Sequence, residues 1–362
     1  MTPLEAIIRE EARAKGGLTI ARYMELCLAH PRHGYYMSRQ PFGREGDFIT
    51  APEASQIFGE LLGVWAAAGW RAMGAPAPFR LVELGPGRGL LMKDVLRAAR
   101  VMPGFTEAAR VHLVETSPAL RCIQRETLAE AETDIEWHDD FASVPEGPAI
   151  VLANEFFDAL PVHHYEHTPD GWRERLVIVN SEGALDFAPL GEPLAKLPEW
   201  AEDLPRGAVI ELSPERAACA AQITSRLAAQ GGAMLVLDYG HAHPGPGETL
   251  QAIARHRKVS VFHQPGRADL TAHVDFHALA VAMEKAGMTA WGPVEQGPFL
   301  RAMGLDARLE ALTRAASARQ RIILRRGARR IAGDDQMGRL FKVLAAVPKG
   351  APPPAPFEGD PQ

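Results

Sequence analysis

An apolar segment that runs directly into a glycine-rich turn constrains the fold of this chain more than any other feature. Phe79 to Leu84 has the composition of a buried strand, and three alternating glycines follow it, Gly85, Gly87 and Gly89. A helical apolar pattern, Leu90 to Arg100, comes next. Glycine at these positions lets the backbone approach a ligand closely, because a side chain would block it. The segment predicts a strand, a tight turn and a helix beside a ligand.

Strand and helix patterns continue to alternate after this turn, which predicts the α/β class. The predicted strands are Phe79–Leu84, Val111–Glu115, Ile135–Trp137, Ala149–Ala153, Ala208–Leu212 and Ala233–Asp238, and the predicted helices are Leu90–Arg100, Pro118–Glu130 and Pro214–Gln230. Such alternation predicts a parallel sheet with helices on both faces, a Rossmann-like arrangement.

The flanking segments predict additions to this core. Residues 162–179, with Asp170-Gly171 at their centre, have the pattern of a hairpin, and 306–332 have that of one basic, alanine-rich helix. The predicted divisions are a helical cap with a loop at 1–78, a core at 79–347 with insertions at about 162–207 and 240–335, and a mobile, proline-rich tail at 348–362.

The composition excludes several classes of protein. With 362 residues, 46% of them hydrophobic, the chain can bury a sizeable core. Acidic residues outnumber basic ones by 45 to 39, which disfavours a nucleic-acid partner. No apolar run approaches the roughly 18 residues of a membrane span, and three scattered cysteines do not form a disulfide framework. The first residues resemble neither a secretory signal nor a transit peptide, so we expect a cytoplasmic, bacterial protein.

The spacing of the glycines distinguishes between two adenosine-containing cofactors. Dinucleotide enzymes show Gly-x-Gly-x-x-Gly, whereas here the third glycine, Gly89, comes one position early and Leu90 occupies the dinucleotide position. This spacing, with Glu83 two residues before Gly85, matches the methyltransferase variant of the loop. S-adenosylmethionine carries a carboxylate that backbone N–H groups at a helix start can bind, and an ammonium that Glu83 can attract. The alternative is an ordinary turn between strand and helix.

Acidic residues after the next two strands extend the predicted cofactor site. Glu115 ends the second strand, where a carboxylate can accept hydrogen bonds from both ribose hydroxyls of either cofactor. Asp140, which we prefer to Asp139, follows the third strand together with Phe141, where an acid can accept a hydrogen bond from the adenine amino group. Either aspartate could instead cap a turn.

Three polar residues follow the fourth strand, Asn154, Glu155 and Asp158. In open α/β sheets the ligands bind beyond the carboxyl ends of the strands. Two acids and an amide after an apolar strand are difficult to explain as core residues. We therefore predict that they face the transferred methyl group and its acceptor.

A glycine-rich loop earlier in the chain, Gly46 to Glu53, is the predicted lid over the cofactor. Asp47 and Thr50 would supply polar contacts, and Phe42 or Phe48 an aromatic wall near the sulfonium. The alternative is a purely structural loop. Neighbouring histidines elsewhere lack a fixed third ligand, so no metal site is predicted; they are His163, His164, His241 and His243.

With these motifs in view, the chain resembles the MidA family, the mitochondrial complex I assembly methyltransferases and their bacterial relatives. The resemblance covers nearly the whole chain. Its matching segments are Pro31–Tyr36, Gly46–Glu53, the glycine loop, Asn154–Pro161, Leu237–Gly240 and Asp269–Phe276.

The resemblance implies a seven-stranded S-adenosylmethionine-dependent methyltransferase core with a helical N-terminal cap and inserted segments. It also implies protein arginine methylation, which in mitochondria yields symmetric dimethylarginine on a core subunit of complex I. The expected partner is thus a protein substrate, such as a subunit of a complex I-type NADH dehydrogenase, and the sequence is compatible with a homodimer.

Under this activity, we expect Glu155, with Asp158, to hold the acceptor guanidinium while Asn154 positions a hydrogen bond near the methyl group. The matching segment Asp269–Phe276 either lines a peptide groove or forms a structural hydrogen-bond network, through Asp269, His273 and Asp275. Two other classes remain as alternatives: a nicotinamide oxidoreductase, which would share Glu115, and a non-catalytic assembly factor that has kept the fold.

Overall fold

The computed structural model describes residues 1–38 and 50–358. Its helices are α1 (Pro3–Lys15), α2 (Ile20–Ala29), α3 (Tyr35–Ser38), α4 (Ala51–Ala54), α5 (Gln56–Ala72), α6 (Leu90–Ala99), α7 (Phe105–Ala108), α8 (Pro118–Thr127), α9 (Pro214–Gln230), α10 (Phe276–Lys285), α11 (Gln296–Ala302), α12 (Leu305–Arg314), α13 (Ala318–Ala332) and α14 (Met337–Leu340). None of the helices in these two ranges has the length and apolarity that a membrane span requires.

The strands of the same residues are β1 (Leu18–Thr19), β2 (Phe79–Leu84), β3 (Ala109–Val114), β4 (Ile135–His138), β5 (Ala149–Asn154), β6 (His163–Thr168), β7 (Gly171–Glu174), β8 (Leu176–Val179), β9 (Leu185–Ala188), β10 (Val209–Leu212), β11 (Gly232–His241), β12 (Gln251–Ala254), β13 (Arg257–Val259), β14 (Asp269–Thr271), β15 (Val274–Asp275), β16 (Met288–Glu295) and β17 (Phe341–Pro348). Short 3-10 turns occur at Phe141–Ser143, Phe157–Ala159 and Glu199–Ala201.

These elements divide between two compact units. Unit 1 contains the described residues of 1–48, 158–218 and 243–273, and unit 2 contains those of 49–157, 219–242 and 274–358. This division differs from the predicted boundaries. Helix α5, which was expected in the cap, belongs to unit 2, and so does the chain after residue 273 that was expected in an insertion.

Unit 2 is built on one large sheet with the strand order β16-β17-β11-β5-β2-β3-β4. Strands β11, β5, β2, β3 and β4 are parallel, and β17 runs antiparallel to both β11 and β16. The predicted Rossmann-like α/β fold is confirmed. In the register Leu84 pairs with Val114 on one side and Ala153 on the other, so the carboxyl ends of β2, β3 and β5 are level.

The core of unit 2 joins α5 and α6 to the apolar side chains of this sheet, with Trp65 and Val95 fully buried beside Ile150. Close packing of the two helices depends on a glycine. A Cβ atom at Gly63 would lie 2.7 Å from the carbonyl oxygen of Val95, so a side chain there would push α6 away.

Unit 1 contains three antiparallel sheets of three strands each, β1-β8-β9, β10-β6-β7 and β13-β12-β14. Its core packs Leu4 and Ile8 of α1 and Tyr23 of α2 with side chains from much later segments, among them Val177 and Leu270. The apolar residues of the first helices are therefore internal parts of a core that is completed some 250 residues later.

Three sequence predictions outside the central sheet have mixed outcomes. The hairpin at Asp170-Gly171 is confirmed by the antiparallel pairing of β6 with β7. The assignment of Ala208–Leu212 to the parallel sheet is wrong, because β10 pairs antiparallel with β6 in unit 1. The single helix at 306–332 is also wrong: it is interrupted before Ser317, whose side chain and that of Gln320 form a capping box that starts α13.

The described part of the proline-rich tail contacts the core of unit 2. Phe357 is partly buried against that core, and its ring centroid lies 5.9 Å from that of Phe299. The tail was expected to be mobile from its composition alone, which does not reveal an aromatic anchor of this kind.

Candidate active site

The glycine loop connects β2, a central strand of the sheet, to α6. All three glycines have left-handed backbone, with φ of 60° at Gly85, 52° at Gly87 and 79° at Gly89. A Cβ atom at Gly85 would lie 3.2 Å from Cδ2 of Phe156, which is tighter than ordinary contact. Left-handed geometry and close approach both require glycine, so this is the tight turn that the sequence predicts.

Glu83 lies in β2, two residues before the loop, and is buried. Among the described residues its Oε2 atom has no hydrogen-bond partner. Burial raises the pKa of Glu83 to about 8; a hydrogen bond from the Met92 N–H opposes the rise, and the charge of Glu115 adds to it. A buried carboxyl group with one unpaired oxygen is suited to a cationic ligand, which would stabilise its ionised form.

Glu115 follows β3 and is held by hydrogen bonds to both oxygens. Its Oε1 accepts from the N–H of Ser117 at 2.8 Å, and its Oε2 accepts from Nε2 of Gln124 at 3.2 Å. Burial raises the pKa of Glu115, and these two bonds oppose the rise. The carboxylate therefore has a fixed orientation at the end of its strand, as a group that accepts two hydroxyl hydrogen bonds requires.

Gln124 connects three parts of the site, although no sequence pattern marks it as a site residue. Besides Glu115, its Nε2 donates to the carbonyl oxygen of Gly87 at 2.8 Å, and its Oε1 accepts from Nε1 of Trp137 at 2.9 Å. The two oxygens that contact Nε2 can only accept hydrogen bonds, and the indole that contacts Oε1 can only donate one. The orientation of the amide is therefore unambiguous. A glutamine within a helix gives no sequence signal of this role.

The residues after β4 have partners of their own. Asp140 is exposed, and its Oδ1 accepts from the N–H of Ser143 at 2.9 Å, which is the turn-capping role of the alternative interpretation. Asp139 pairs with Arg121 at 2.6 Å. The Phe141 ring is buried beneath the guanidinium of Arg226, 5.0 Å from its centroid. These contacts favour a structural role for Asp140 and leave its adenine contact a prediction.

Asn154 and Glu155 lie together at the carboxyl end of β5. Nδ2 of Asn154 donates to Oε1 of Glu155 at 3.2 Å, and the same oxygen accepts from the N–H of Ala51, the first residue of α4, at 3.1 Å. Oδ1 of Asn154 is buried and lacks a hydrogen-bond partner among the described residues. Glu155 has a φ of 50°, and its N–H donates to the Leu237 carbonyl at 2.9 Å. Such backbone is unusual outside glycine and is concentrated at functional sites.

Asp158 belongs to unit 1, whereas Asn154 and Glu155 belong to unit 2. Its side chain is buried, and its carbonyl oxygen accepts from Nη2 of Arg216 at 3.0 Å and from the N–H of Ala272 at 3.2 Å. The Arg216 guanidinium also donates to the carbonyl oxygens of Leu160, Ala272 and His273. This buried arginine fixes the backbone around Asp158.

Most of the predicted lid cannot be placed, because Asp47, Phe42 and Phe48 lie outside the described residues. Thr50 directly precedes α4, and its side chain makes no capping hydrogen bond to that helix.

Two acids of the segment Asp269–Phe276, Asp269 and Asp275, have structural partners within their own units. Asp269 accepts from the hydroxyl of Tyr36 at 2.9 Å, and Asp275 caps α10 by accepting from the N–H of Ala278 at 3.0 Å. Both contacts match the structural alternative for this block.

Two of the four neighbouring histidines, His163 and His164, lie against carboxylates. Nδ1 of His163 lies 2.6 Å from Glu174 and its Nε2 lies 2.9 Å from Glu215, while His164 lies 2.7 Å from Glu211. Both nitrogens of His163 are therefore occupied by protein partners.

A different group, His112, Glu136 and His138, has three ligand atoms within 4.8 Å of one another. The two imidazoles are in direct contact, at 2.9 Å between Nδ1 of His112 and Nε2 of His138. Burial, together with the positive charges of His138, Arg80 and Arg226, lowers the pKa of His112 to about 4. The neighbouring positive charges oppose a bound cation, and we assign no metal to this group.

The fold and the residues at its strand ends together define a class. The sheet of unit 2 carries a left-handed glycine loop, a buried acid in β2 that can attract an ammonium, and an oriented carboxylate after β3. These features fit S-adenosylmethionine, and they define a methyltransferase of the seven-stranded, S-adenosylmethionine-dependent class.

Comparison with known proteins gives the family. Residues 61–294 match the model of a family described as S-adenosyl-L-methionine-dependent methyltransferases, and the chain belongs to that family. It is 39% identical to the mitochondrial protein arginine methyltransferase NDUFAF7 homologue of Drosophila melanogaster over 94% of this chain and 84% of that one. It is 36% identical to the mitochondrial human NDUFAF7, over 96% and 84%.

A solved structure from Burkholderia thailandensis, described as a methyl transferase bound to S-adenosyl-homocysteine, is also similar. Its TM-score is 0.85 at 30% identity, covering 99% of this chain and 95% of that one. These comparisons confirm the predicted family and cofactor, and they exclude the nicotinamide oxidoreductase. The predicted cytoplasmic location is wrong by the same comparisons, since the relatives are named mitochondrial proteins.

Proposed function

We propose that this chain methylates arginine side chains of a protein substrate. The observation that carries the proposal is the pair Asn154 and Glu155, a hydrogen-bonded amide and carboxylate at the end of β5. The relatives in fly and human are named protein arginine methyltransferases, which supports the same acceptor.

The chemistry of the acceptor explains why a carboxylate is needed. An arginine side chain is protonated near neutrality, with a pKa above about 12, so its lone pairs are delocalised over the guanidinium. A guanidinium nitrogen attacks the methyl carbon of S-adenosylmethionine in one step and releases one proton to solvent. The bond between that carbon and sulfur breaks, and S-adenosylhomocysteine leaves as a thioether. Glu155 holds the guanidinium by charge-assisted hydrogen bonds, and the unpaired Oδ1 of Asn154 accepts from the nitrogen that attacks. Asp158 stays a prediction as a second carboxylate.

The cofactor contacts belong to the same proposal. Glu83 binds the ammonium, the left-handed loop of Gly85, Gly87 and Gly89 receives the amino-acid carboxylate, and Glu115 binds the ribose. The remaining cofactor contacts stay predictions, at Asp140, Phe141, Asp47 and Thr50. The finer proposal, symmetric dimethylation of a complex I-type NADH dehydrogenase subunit, follows from the family resemblance.

The decisive experiment compares Glu155→Gln with the wild type. We expect the variant to lose about 100-fold or more in methyl transfer, since it removes a charge that orients the acceptor. Its affinity for S-adenosylhomocysteine should remain within about twofold. Methyl transfer is measured with radiolabelled cofactor and an extract from a strain that lacks the gene, followed by mass spectrometry of the labelled residues.

Glu126→Gln is the matched control, because Glu126 is an exposed glutamate on α8 in the same unit. It should transfer methyl groups at the wild-type rate. Unchanged turnover in Glu155→Gln, or a label on residues other than arginine, would contradict the proposal. Wild-type protein that binds the cofactor but labels no protein would instead indicate the non-catalytic assembly factor.

A further inference from the structure

Helix α13 stands out by its charge. Residues 305–332 contain eight arginines, no lysine and two acids, so this segment carries a charge of about +6 in a chain whose net charge is -6. Three of its arginines have acidic partners: Arg308 binds Glu60, Arg314 binds Glu310 and Arg329 binds Asp335. Helix α13 alone contains six of these arginines and no acidic residue.

The outward side of this helix consists of arginine and isoleucine, apart from Ala318 at its first position. Successive residues of an α-helix are rotated by about 100°, so the buried positions Gly327, Ala328 and Ile331 define the inward side. Five residues cover an arc of about 160° opposite to them, and we call them the arginine face: Arg319, Ile322, Ile323, Arg325 and Arg326.

Both isoleucines of this face are solvent-exposed, Ile322 by 55% and Ile323 by 56%. Arg319, Arg325 and Arg326 form no ion pair or hydrogen bond with any described residue. Exposed large apolar side chains among unpaired charges stabilise nothing within the chain. They are the composition of a binding surface, in which arginine and large apolar side chains are enriched.

The inward side of α13 connects this face to the candidate acceptor site. A Cβ atom at Gly327 would lie 2.5 Å from the carbonyl oxygen of Ala54, so the backbone of α13 rests directly on the end of α4. The other end of α4 is Ala51, whose N–H donates to Glu155. One helical turn thus contacts both α13 and the carboxylate that is proposed to hold the acceptor.

We propose that the arginine face docks an acidic, amphipathic segment of the protein substrate. This inference rests on the proposed arginine methylation. Carboxylates on the segment pair with Arg319, Arg325 and Arg326 in the bidentate geometry that arginine favours over lysine. Apolar side chains between those carboxylates cover Ile322 and Ile323.

The arrangement of the face favours a protein over a lipid surface. The two isoleucines lie about 100° apart around the helix, and Arg319 and Arg326 lie between them. They do not form the continuous apolar strip that enters a bilayer in interfacial helices. A protein segment, with charges and apolar groups interleaved, matches this alternation.

The test is the charge reversal Arg319→Glu with Arg326→Glu. Its matched control is Arg13→Glu with Arg206→Glu, which changes the net charge equally at exposed arginines elsewhere. The first readout is binding of a fluorescein-labelled 16-residue peptide of repeating Glu-Glu-Leu-Leu, measured by fluorescence anisotropy. We expect the α13 variant to bind at least about tenfold more weakly than the wild type and the control, and the difference to shrink in high salt.

The second readout is the initial rate of methyl transfer at limiting extract. It should fall about tenfold in the α13 variant, while the affinity for S-adenosylhomocysteine stays unchanged. A second variant, Ile322→Ser, preserves the charge and should weaken peptide binding by severalfold, which separates docking from any effect of charge on folding.

Equal peptide binding by the wild type and the α13 variant would overturn the docking proposal, whatever the methylation assay shows. If the proposed arginine methylation is wrong, neither the wild type nor the α13 variant will label arginine. The peptide-binding result then decides on the docking proposal by itself. Two further outcomes would overturn it in favour of another occupant: binding to phosphatidylglycerol vesicles that the variant loses, or a wild-type dimer that the variant converts to a monomer.

Discussion

At the scale of single residues, Glu83 is the group whose chemistry depends most on its surroundings. It lies in the central sheet with one oxygen unpaired among the described residues, and burial raises its pKa to about 8. An unfolded glutamate ionises near 4.5, so the free protein loses stability as the pH rises from that value towards 8. A bound ammonium reverses this effect by stabilising the ionised form.

We therefore predict that the affinity for S-adenosylhomocysteine, which retains the ammonium, rises from pH 6 to about pH 8. In the free protein Glu83 is protonated below its pKa and must release a proton on binding, so affinity gains up to about tenfold per pH unit. Above about pH 8 the affinity no longer changes with pH, because Glu83 is already ionised in the free protein. Calorimetry in two buffers of different ionisation enthalpy measures both the affinity and the released proton.

Glu83→Gln should show a flat profile over the same range, while the exposed control Glu126→Gln should follow the wild type. The same slope in Glu83→Gln and wild type would assign the titration to another group.

At the scale of elements, the cofactor site depends on how neighbouring strands and loops are held together. Gln124 of α8 bonds to the glycine loop, to the end of β3 and to Trp137 of β4. Backbone pairing positions the strands β2, β3 and β4, and this one buried amide ties the glycine loop to them.

We predict that Gln124→Leu weakens S-adenosylhomocysteine binding by about tenfold, or about 1.4 kcal/mol. The variant leaves the buried Oε2 of Glu115 unsatisfied and removes the partner of the part-buried Nε1 of Trp137, which should also lower the free energy of unfolding by about 1–3 kcal/mol. Calorimetry and urea unfolding measure the two effects.

Gln230→Leu is the control, because Gln230 accepts from the N–H of Gly147 at 2.8 Å, just before the amino end of β5. It should lose stability without losing cofactor affinity. If both variants lost the same affinity for S-adenosylhomocysteine, Gln124 would stabilise the fold in general and have no specific role in the cofactor site.

The sequence predicts elements well where the signal is local. Uninterrupted apolar runs and glycine turns gave β2, α6 and β5 to within one residue. The sheet to which a strand belongs is not a local property, and for this reason the predicted strand Ala208–Leu212 was assigned to the wrong sheet. The break between α12 and α13 did have a signal, the spacing of Ser317 and Gln320.

The candidate site shows the same division. Glycines and acids at strand ends are visible in the sequence, and Gly85, Glu115 and Glu155 lie at the carboxyl edge where the pattern put them. Gln124 was missed because its contacts join segments from positions 87, 115 and 137. For Asp140 the sequence leaves two roles open, because a turn cap and a ligand contact have the same sequence pattern, and the structure shows the turn cap.

At the scale of the whole molecule, unit 1 is built from three stretches of the chain, which the unit 2 segments 49–157 and 219–242 separate. Ile8 of α1 is completely buried in a cluster that includes Leu270. Contacts so distant in sequence make the N-terminal helices as essential to this unit as any central element.

We predict that Ile8→Ala lowers the free energy of unfolding by about 2–5 kcal/mol, because it creates a cavity in that core. Amide hydrogen exchange, followed by mass spectrometry, should become faster in β14, residues 269–271, which pack in the same core. Val101→Ala, at a side chain that is 80% exposed, is the control. Unchanged exchange in β14 would show that α1 is dispensable for this core.

The position of β17 has a consequence for how the protein is made. This strand, the last along the described chain, lies between β11 and β16, and β16 joins the sheet only through it. During translation residues 234–239 of β11 therefore keep an unpaired edge until residues 341–348 have left the ribosome, and such edges recruit other chains. A premature stop shortly before residue 341 would preserve every proposed cofactor contact in the sequence and still yield a protein prone to aggregate.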